Sequence, residues 1–297
     1  MRIWMLTGLI AFSFGCTEQH EGKQSSNDPS TTHGSHGEKI SAHNDNHSSH
    51  GGSAGHGEMN MSAVTRRVLK VQTDPPEPKA GSPVKLKLQI QGDDLTPIRT
   101  FDVVHEKLVH LIVVRDGLDE FAHLHPEVDA TGNLTVDYVF PKSGTYRLFA
   151  DHQPQGQSPG LATAELIIAG DDEPAVALVP DTSDEVTVGE INAHIAVTPG
   201  EHATMVRFQL IGLAGKTLTD LEPYLGAMGH LVIISADGRD YVHAHPLSEA
   251  RTAPDGAVEF AAHFPNPGIY RIWGQFQHHG TVFTVPFTFE HVRDIME

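Results

Sequence analysis

The sequence predicts an all-β protein: two tandem immunoglobulin-like or cupredoxin-like β-sandwiches behind a disordered, His-rich tail. Three observations carry the prediction. Short runs such as "SPVKLKLQIQ", "NLTVDYVF" and "TYRLFA" alternate apolar and polar residues or concentrate β-branched and aromatic ones, with Pro, Gly, Asn and Asp between them. No long stretch carries the period of an amphipathic helix. The β-like part also repeats, since "FPKSGTYRLFA" at 140–150 matches "FPNPGIYRIWG" at 264–274 without a gap. Two short-stranded units of about a hundred residues suit two sandwiches better than one large barrel.

Taken in order, residues 1–16, "MRIWMLTGLIAFSFGC", have the form of a bacterial export signal: Arg2, then a short apolar run ending in Gly-Cys. That run is too short for a comfortable membrane span. Cys16 is the only cysteine and stands where a lipoprotein signal is cut and lipidated, although Ser13 departs from the aliphatic residue usual there. Residues 17–65 form a tether rich in His, Gly, Ser and Asn, with seven histidines between His20 and His56. Such a segment has too little to bury to offset its ordering entropy. Its imidazoles, with the thioethers of Met59 and Met61, suit capture of transition metals.

Residues 66–170 make the first sandwich, the acidic, Pro-containing stretch 171–184 a linker, and 185–297 the second sandwich. A formal charge of −18 excludes a nucleic-acid partner, whose phosphates need a basic surface, and suits a protein that attracts cations. A single cysteine excludes an intramolecular disulfide and a thiolate-ligated zinc, iron–sulfur or blue-copper centre.

The candidate site lies in a motif present twice. "HLIVVRDGLDEFAHLHP" runs from His110 to Pro126, and "HLVIISADGRDYVHAHP" from His230 to Pro246. Each places a His-x-His thirteen residues after a first histidine. Asp-Gly is a favoured two-residue hairpin turn. With Asp116-Gly117 as the turn, His110 falls opposite His123; with Asp237-Gly238, His230 falls opposite His245. The pairs differ but the parity does not, so all three imidazoles of each copy share one face. Opposed β-carbons lie about 5 Å apart and diagonal ones about 7–8 Å, within reach of one ion. Pro126 and Pro246 end the strand and place the pair at a sheet end or edge. The candidate metal ligands are therefore His110, His123 and His125, and His230, His243 and His245.

Three imidazoles without thiolate suit copper, zinc or nickel, and affinity order favours copper. Met228 could add a thioether to the second copy, but Leu108 holds the matching place in the first. Asp151 and His152, and the turn residues His278 and His279, are further ligand candidates, each more readily read as an ordinary polar loop residue. Histidines held only by hydrogen bonds in a half-buried strand are the competing reading.

The second copy, through "LEPYLGAMGHLVII", "HAHP", "FPNPGIYRIWGQFQHHG" and "TVPFTFEH", resembles a domain of bacterial exported proteins mostly called uncharacterised or heavy-metal-associated. The first copy resembles it more loosely. The resemblance implies a small β-sandwich and envelope metal handling, with no established activity. The expectation is an envelope-anchored copper- or zinc-binding buffer, chaperone or resistance factor. It would meet the membrane through a lipid on Cys16 and a metal-transport partner in the envelope. The alternative is a non-catalytic partner- or carbohydrate-binding module with structural histidines, in which Tyr224, Tyr241, Trp273 and Phe276 would line a surface. A copper enzyme is the weakest reading: open three-histidine sites can bind substrate or oxygen, but no substrate is indicated and no Ser-His-Asp or paired-carboxylate pattern stands out.

Overall fold

The computed structural model describes residues 65–171, 174–212, 215–244, 246–248, 252 and 255–292. The leader with Cys16, almost all of the His-rich tether, and His245 lie outside them. The first repeat contains β1 (Thr65–Asp74), β2 (Pro83–Gln91), β3 (Val109–Arg115), β4 (Phe121–Leu124), β5 (Glu127–Val128), β6 (Asn133–Val139), β7 (Gly144–His152) and β8 (Gly160–Ile168). The second contains β9 (Glu185–Val188), β10 (Ile191–Thr198), β11 (Thr204–Ile211), β12 (His230–Ser235), β13 (Tyr241–Ala244), β14 (Val258–Ala262), β15 (Gly268–His278) and β16 (Thr281–His291). Among the described residues every regular element is a strand. The chain is all-β and duplicated, as expected.

Each repeat is a β-sandwich. In the second, sheet β14-β11-β10-β9 faces sheet β13-β12-β15-β16. The first has the same two layers, β5-β6-β2-β1 and β4-β3-β7-β8, joined into one eight-stranded sheet by the parallel pair β1–β8. Alternation explains the layers: in β2 the buried Val84, Leu86, Leu88 and Ile90 point inward while Lys85 and Lys87 face solvent. Leu69, Leu134, Tyr146 and Leu148 complete the first core, and Phe208, Phe260, Tyr270 and Phe276 build the second.

Strands β3 and β12 depart from this half-buried pattern, because every residue in both is buried. Odd-numbered residues of β3 (Val109, Leu111, Val113) enter the first repeat's own core. Even-numbered Ile112 and Val114 join Leu118, Phe149 and Leu161 in a third apolar cluster with Val232, Ile234, Tyr241 and Trp273 of the second repeat. The two hairpin sheets thus pack on each other. Phe121 stacks on Trp273 at 4.7 Å and Phe149 on Tyr241 at 5.0 Å, an exchange that relates the repeats by a pseudo-twofold axis. Leu178, in the stretch expected to be a linker, packs against this cluster, and Asp181 is hydrogen-bonded to the Thr288 backbone.

Candidate metal centre

The two hairpins have the same register, which corrects the sequence reading of the first. Ile112 pairs with His123, and Val232 with His243. His110 therefore does not oppose His123. Continuing the ladder from Leu111–Leu124 sets it beside His125 instead. The first turn spans four residues, with positive φ at Gly117 and Leu118 rather than at an Asp-Gly pair. The ladder shifts by two positions, so the parity that puts the imidazoles on one face survives.

That face points into the domain interface. His110, His123, His125, His230 and His243 form one group at the polar end of the interdomain apolar cluster, with His105 at its margin. The first three rings stand 4.7–5.2 Å apart, centre to centre. An ion bound at about 2.0–2.1 Å by tetrahedrally disposed imidazoles separates their centres by about 5 Å. One nitrogen from each of the three lies within 4.8 Å of the others. His243 stands 5.3 Å from His110 and 5.5 Å from His123, and 5.7 Å from His230. His245 is outside the described residues.

Hydrogen bonds assign the tautomers. His110 Nε2 lies 3.0 Å from the Val104 carbonyl, and His230 Nε2 lies 2.8 Å from that of Tyr224. A carbonyl only accepts, so both rings donate from Nε2 and keep a lone pair on Nδ1. Both carbonyls sit in two-residue turns with left-handed central residues, His105-Glu106 and Leu225-Gly226. His123 Nδ1 donates to Gln275 Oε1 at 2.6 Å, and His243 Nδ1 to Asp151 Oδ2 at 2.9 Å. These bonds cross the interface: each repeat orients the other's histidine. Gln275 pairs with His230 on its own sheet, and Asp151 with His110.

The consequence is unusual. His110 Nδ1 and His123 Nε2 face each other at 2.9 Å, and by these tautomers both carry lone pairs. Burial disfavours a proton there, pushing His110 down to about 4 and His123 well below its ordinary value. Burial likewise lowers His125 and His230 to about 3. Two nitrogens about 2.0–2.1 Å from a shared ion in that tetrahedral arrangement are about 3.3 Å apart, a few tenths of an ångström more than the 2.9 Å between these two. His125 Nε2 is buried without a hydrogen-bond partner among the described residues. Asp151 is wholly enclosed, and burial raises it to about 7.

Other candidates lie elsewhere. His152 bonds the Ala150 carbonyl through Nδ1 and meets Arg67 and the Phe101 ring, away from the cluster. Met228 and Leu108 pack against the cores of their own repeats. His278 and His279 group with Asp220 at the exposed end of β15. Tyr241 and Trp273 belong to the interdomain cluster and Phe276 to the second core, so they line no surface. Sequence reasoning missed Gln275 as a partner and the cross-domain role of Asp151. Their signal was alignment: both are the residue after the "YRLFA"/"YRIWG" strand match.

No curated protein matches this chain. Among solved structures, the Escherichia coli adhesin FdeC is 13% identical with a TM-score of 0.24, over 76% of this chain and 64% of that one. A two-domain fibronectin type-III segment of chicken tenascin is 10% identical with a TM-score of 0.22, over 75% and 98%. The Yersinia pseudotuberculosis adhesin InvE is 12% identical with a TM-score of 0.21, over 74% and 58%. Likenesses this low bear on neither the site nor its chemistry. One family model matches both repeats, at 64–166 and 181–293, and the chain belongs to that family, described as a domain of unknown function (DUF8832).

Proposed function

We propose that the folded repeats are a transition-metal-binding module whose ion sits among His110, His123 and His125. The observation that carries this reading is the pair of lone-pair nitrogens facing each other at 2.9 Å, with their other nitrogens committed as donors. Neutral ligands already oriented from behind are what a metal site needs, because outer hydrogen bonds fix the tautomer and raise ligand basicity. An all-imidazole set with no cysteine favours copper first and zinc next. The lipobox-like Cys16 and the His-rich tether support a lipoprotein of the bacterial envelope that buffers, delivers or detoxifies the ion. Delivery would involve a transport partner.

A second reading is favoured by one specific observation. The bonds His123–Gln275 and His243–Asp151 join the repeats, a task that purely structural histidines also perform. The protein would then be a non-catalytic partner-binding sandwich module. The experiment is a titration of the full-length chain, its seven tail histidines replaced by Ala, with Cu(II), Cu(I) and Zn(II). Tight binding abolished by His123→Ala and His125→Ala supports the metal reading. No binding by the parent leaves the structural one.

A further inference from the structure

The strand that supplies Gln275 ends in a separate group of ligating side chains. A two-residue turn joins β15 to β16, with His278 paired to Thr281 and His279-Gly280 between them. Both turn residues have positive φ, 50° at His279 and 71° at Gly280, as a type I′ turn requires. Adjacent residues of a strand point to opposite faces. Here the left-handed turn brings the His278 and His279 rings to one side, 3.9 Å apart centre to centre. Asp220 completes the group. Its Oδ1 lies 3.2 Å from His278 Nε2, and one ligand atom from each of the three falls within 4.8 Å of the others. The chain holds Asp220 from behind: Leu221 is buried in the second core, and Glu222 N donates to the Gln277 carbonyl at 2.9 Å. The Glu222 carboxylate accepts from Gln277 Nε2 at 3.0 Å and from the Gly280 amide at 2.8 Å, which ties this loop to the turn. The ligating side stays open, since the Asp220 side chain is 62% exposed.

The geometry points to a surface site for a hydrated divalent transition ion, nickel or zinc, held by Asp220, His278 and His279. This goes beyond the proposed function and does not depend on it. Two imidazoles with one carboxylate take one face of such an ion and leave its other positions to water. Neighbouring imidazole centres around a six-coordinate ion stand about 4.5 Å apart, so the His279 ring, in its exposed turn, closes the site by moving roughly half an ångström. The proposed buried centre offers imidazole nitrogens alone. This one adds a carboxylate and keeps contact with solvent, so its ion is a dication that exchanges with the surrounding water.

The test is Ni(II) titration of the full-length chain with its tail histidines replaced by Ala, followed by calorimetry and by amide NMR. The signals of Gly280 and Thr281 should broaden as the paramagnetic ion is added. His278→Ala with His279→Asn, the Asn chosen because it tolerates positive φ, should lose one equivalent whatever the buried centre contributes. Asp220→Asn, nearly isosteric and on the surface, should weaken the same event about tenfold or more, the lower bound for losing even a group that only orients a ligand. A stoichiometry unchanged by replacing both histidines overturns the site. So does saturation with Ni(II) that leaves Gly280 and Thr281 sharp. Either result leaves the proposed function standing, because the buried histidines are untouched in every variant.

Discussion

Replacing Ile112 by Ala tests whether the two sandwiches are one structure. Ile112 is wholly buried, yet it points away from its own repeat's core and into the cluster shared with Val232 and Trp273. The substitution removes three carbons, worth about 2.4 kcal/mol at about 0.8 kcal/mol per buried CH₂. The cavity left against Val232 adds to this and brings the loss to about 3 kcal/mol, inside the usual range for such truncations. If the repeats did not dock, the same side chain would face solvent and its loss would cost about 0.5 kcal/mol or less. The assay is urea unfolding of the full chain, followed by far-ultraviolet circular dichroism and by tryptophan fluorescence. Trp273 is one of only two tryptophans and lies at the interface, and a Trp273→Phe chain supplies the Trp4 baseline. The expected result is one coincident transition, shifted by about 3 kcal/mol in the variant. A cost under about 1 kcal/mol, or fluorescence lost well before dichroism, would refute interdomain packing as argued.

Three further outcomes are expected. Tyr241→Phe should leave stability unchanged or raise it by up to about 1 kcal/mol, because the buried hydroxyl has no partner among the described residues and the matching residue of the first repeat is Phe121; thermal melts check it. Asp119→Ala should cost about 2 kcal/mol in chemical unfolding, since it takes the carboxylate from buried Arg115 at 2.9 Å, while the Ser143 carbonyl still accepts from Nε. His152 is pushed by burial down to about 4, so the unfolded chain takes up its proton first on acidification. Its neutral form therefore stabilises the fold above about pH 6.5, and that contribution is lost between there and about pH 4, at up to about 1.4 kcal/mol per pH unit. His152→Gln should flatten the stability–pH curve across that window, and an unchanged slope would mean that the ring is not held neutral.

Strand positions and the shared face of the histidines were legible because they depend on a period of two, which "KLKLQIQ" displays and a register slip of two positions preserves. The register of the first hairpin was not. Asp116-Gly117 is a strong local turn signal, but the left-handed residues are Gly117 and Leu118, and a leucine there is costly. Leu118 is buried in the interdomain cluster, and that burial offsets the local preference. The interface itself left one readable trace. "HLIVVR" and "HLVIIS" are continuous apolar runs rather than alternating ones, the mark of a strand covered on both faces. Asp151 and Gln275 were invisible as partners of the histidines because each bonds a histidine of the other repeat, which no spacing within one copy can reveal.

Duplication explains why the candidate site lies between the repeats. A hairpin sheet with an apolar face needs something to cover it, and a copy of itself is self-complementary about a twofold axis. Once Ile112 and Val114 meet Val232 and Ile234, the histidines two positions before Ile112 and Val232 must meet as well, since they share that face. The polar end of one hairpin then becomes the wall of the other's site, and the residue following each matched strand reaches across. A strictly symmetric centre would carry the same residue at both places. Two carboxylates would bury two negative charges with little water to screen them, and two amides would offer no charge to a cation if one were bound. Asp151 with Gln275 puts a single carboxyl group, raised to about 7 by burial, beside a group of neutral imidazoles. Were a cation bound as proposed, the place where the repeats differ is where its charge would be balanced.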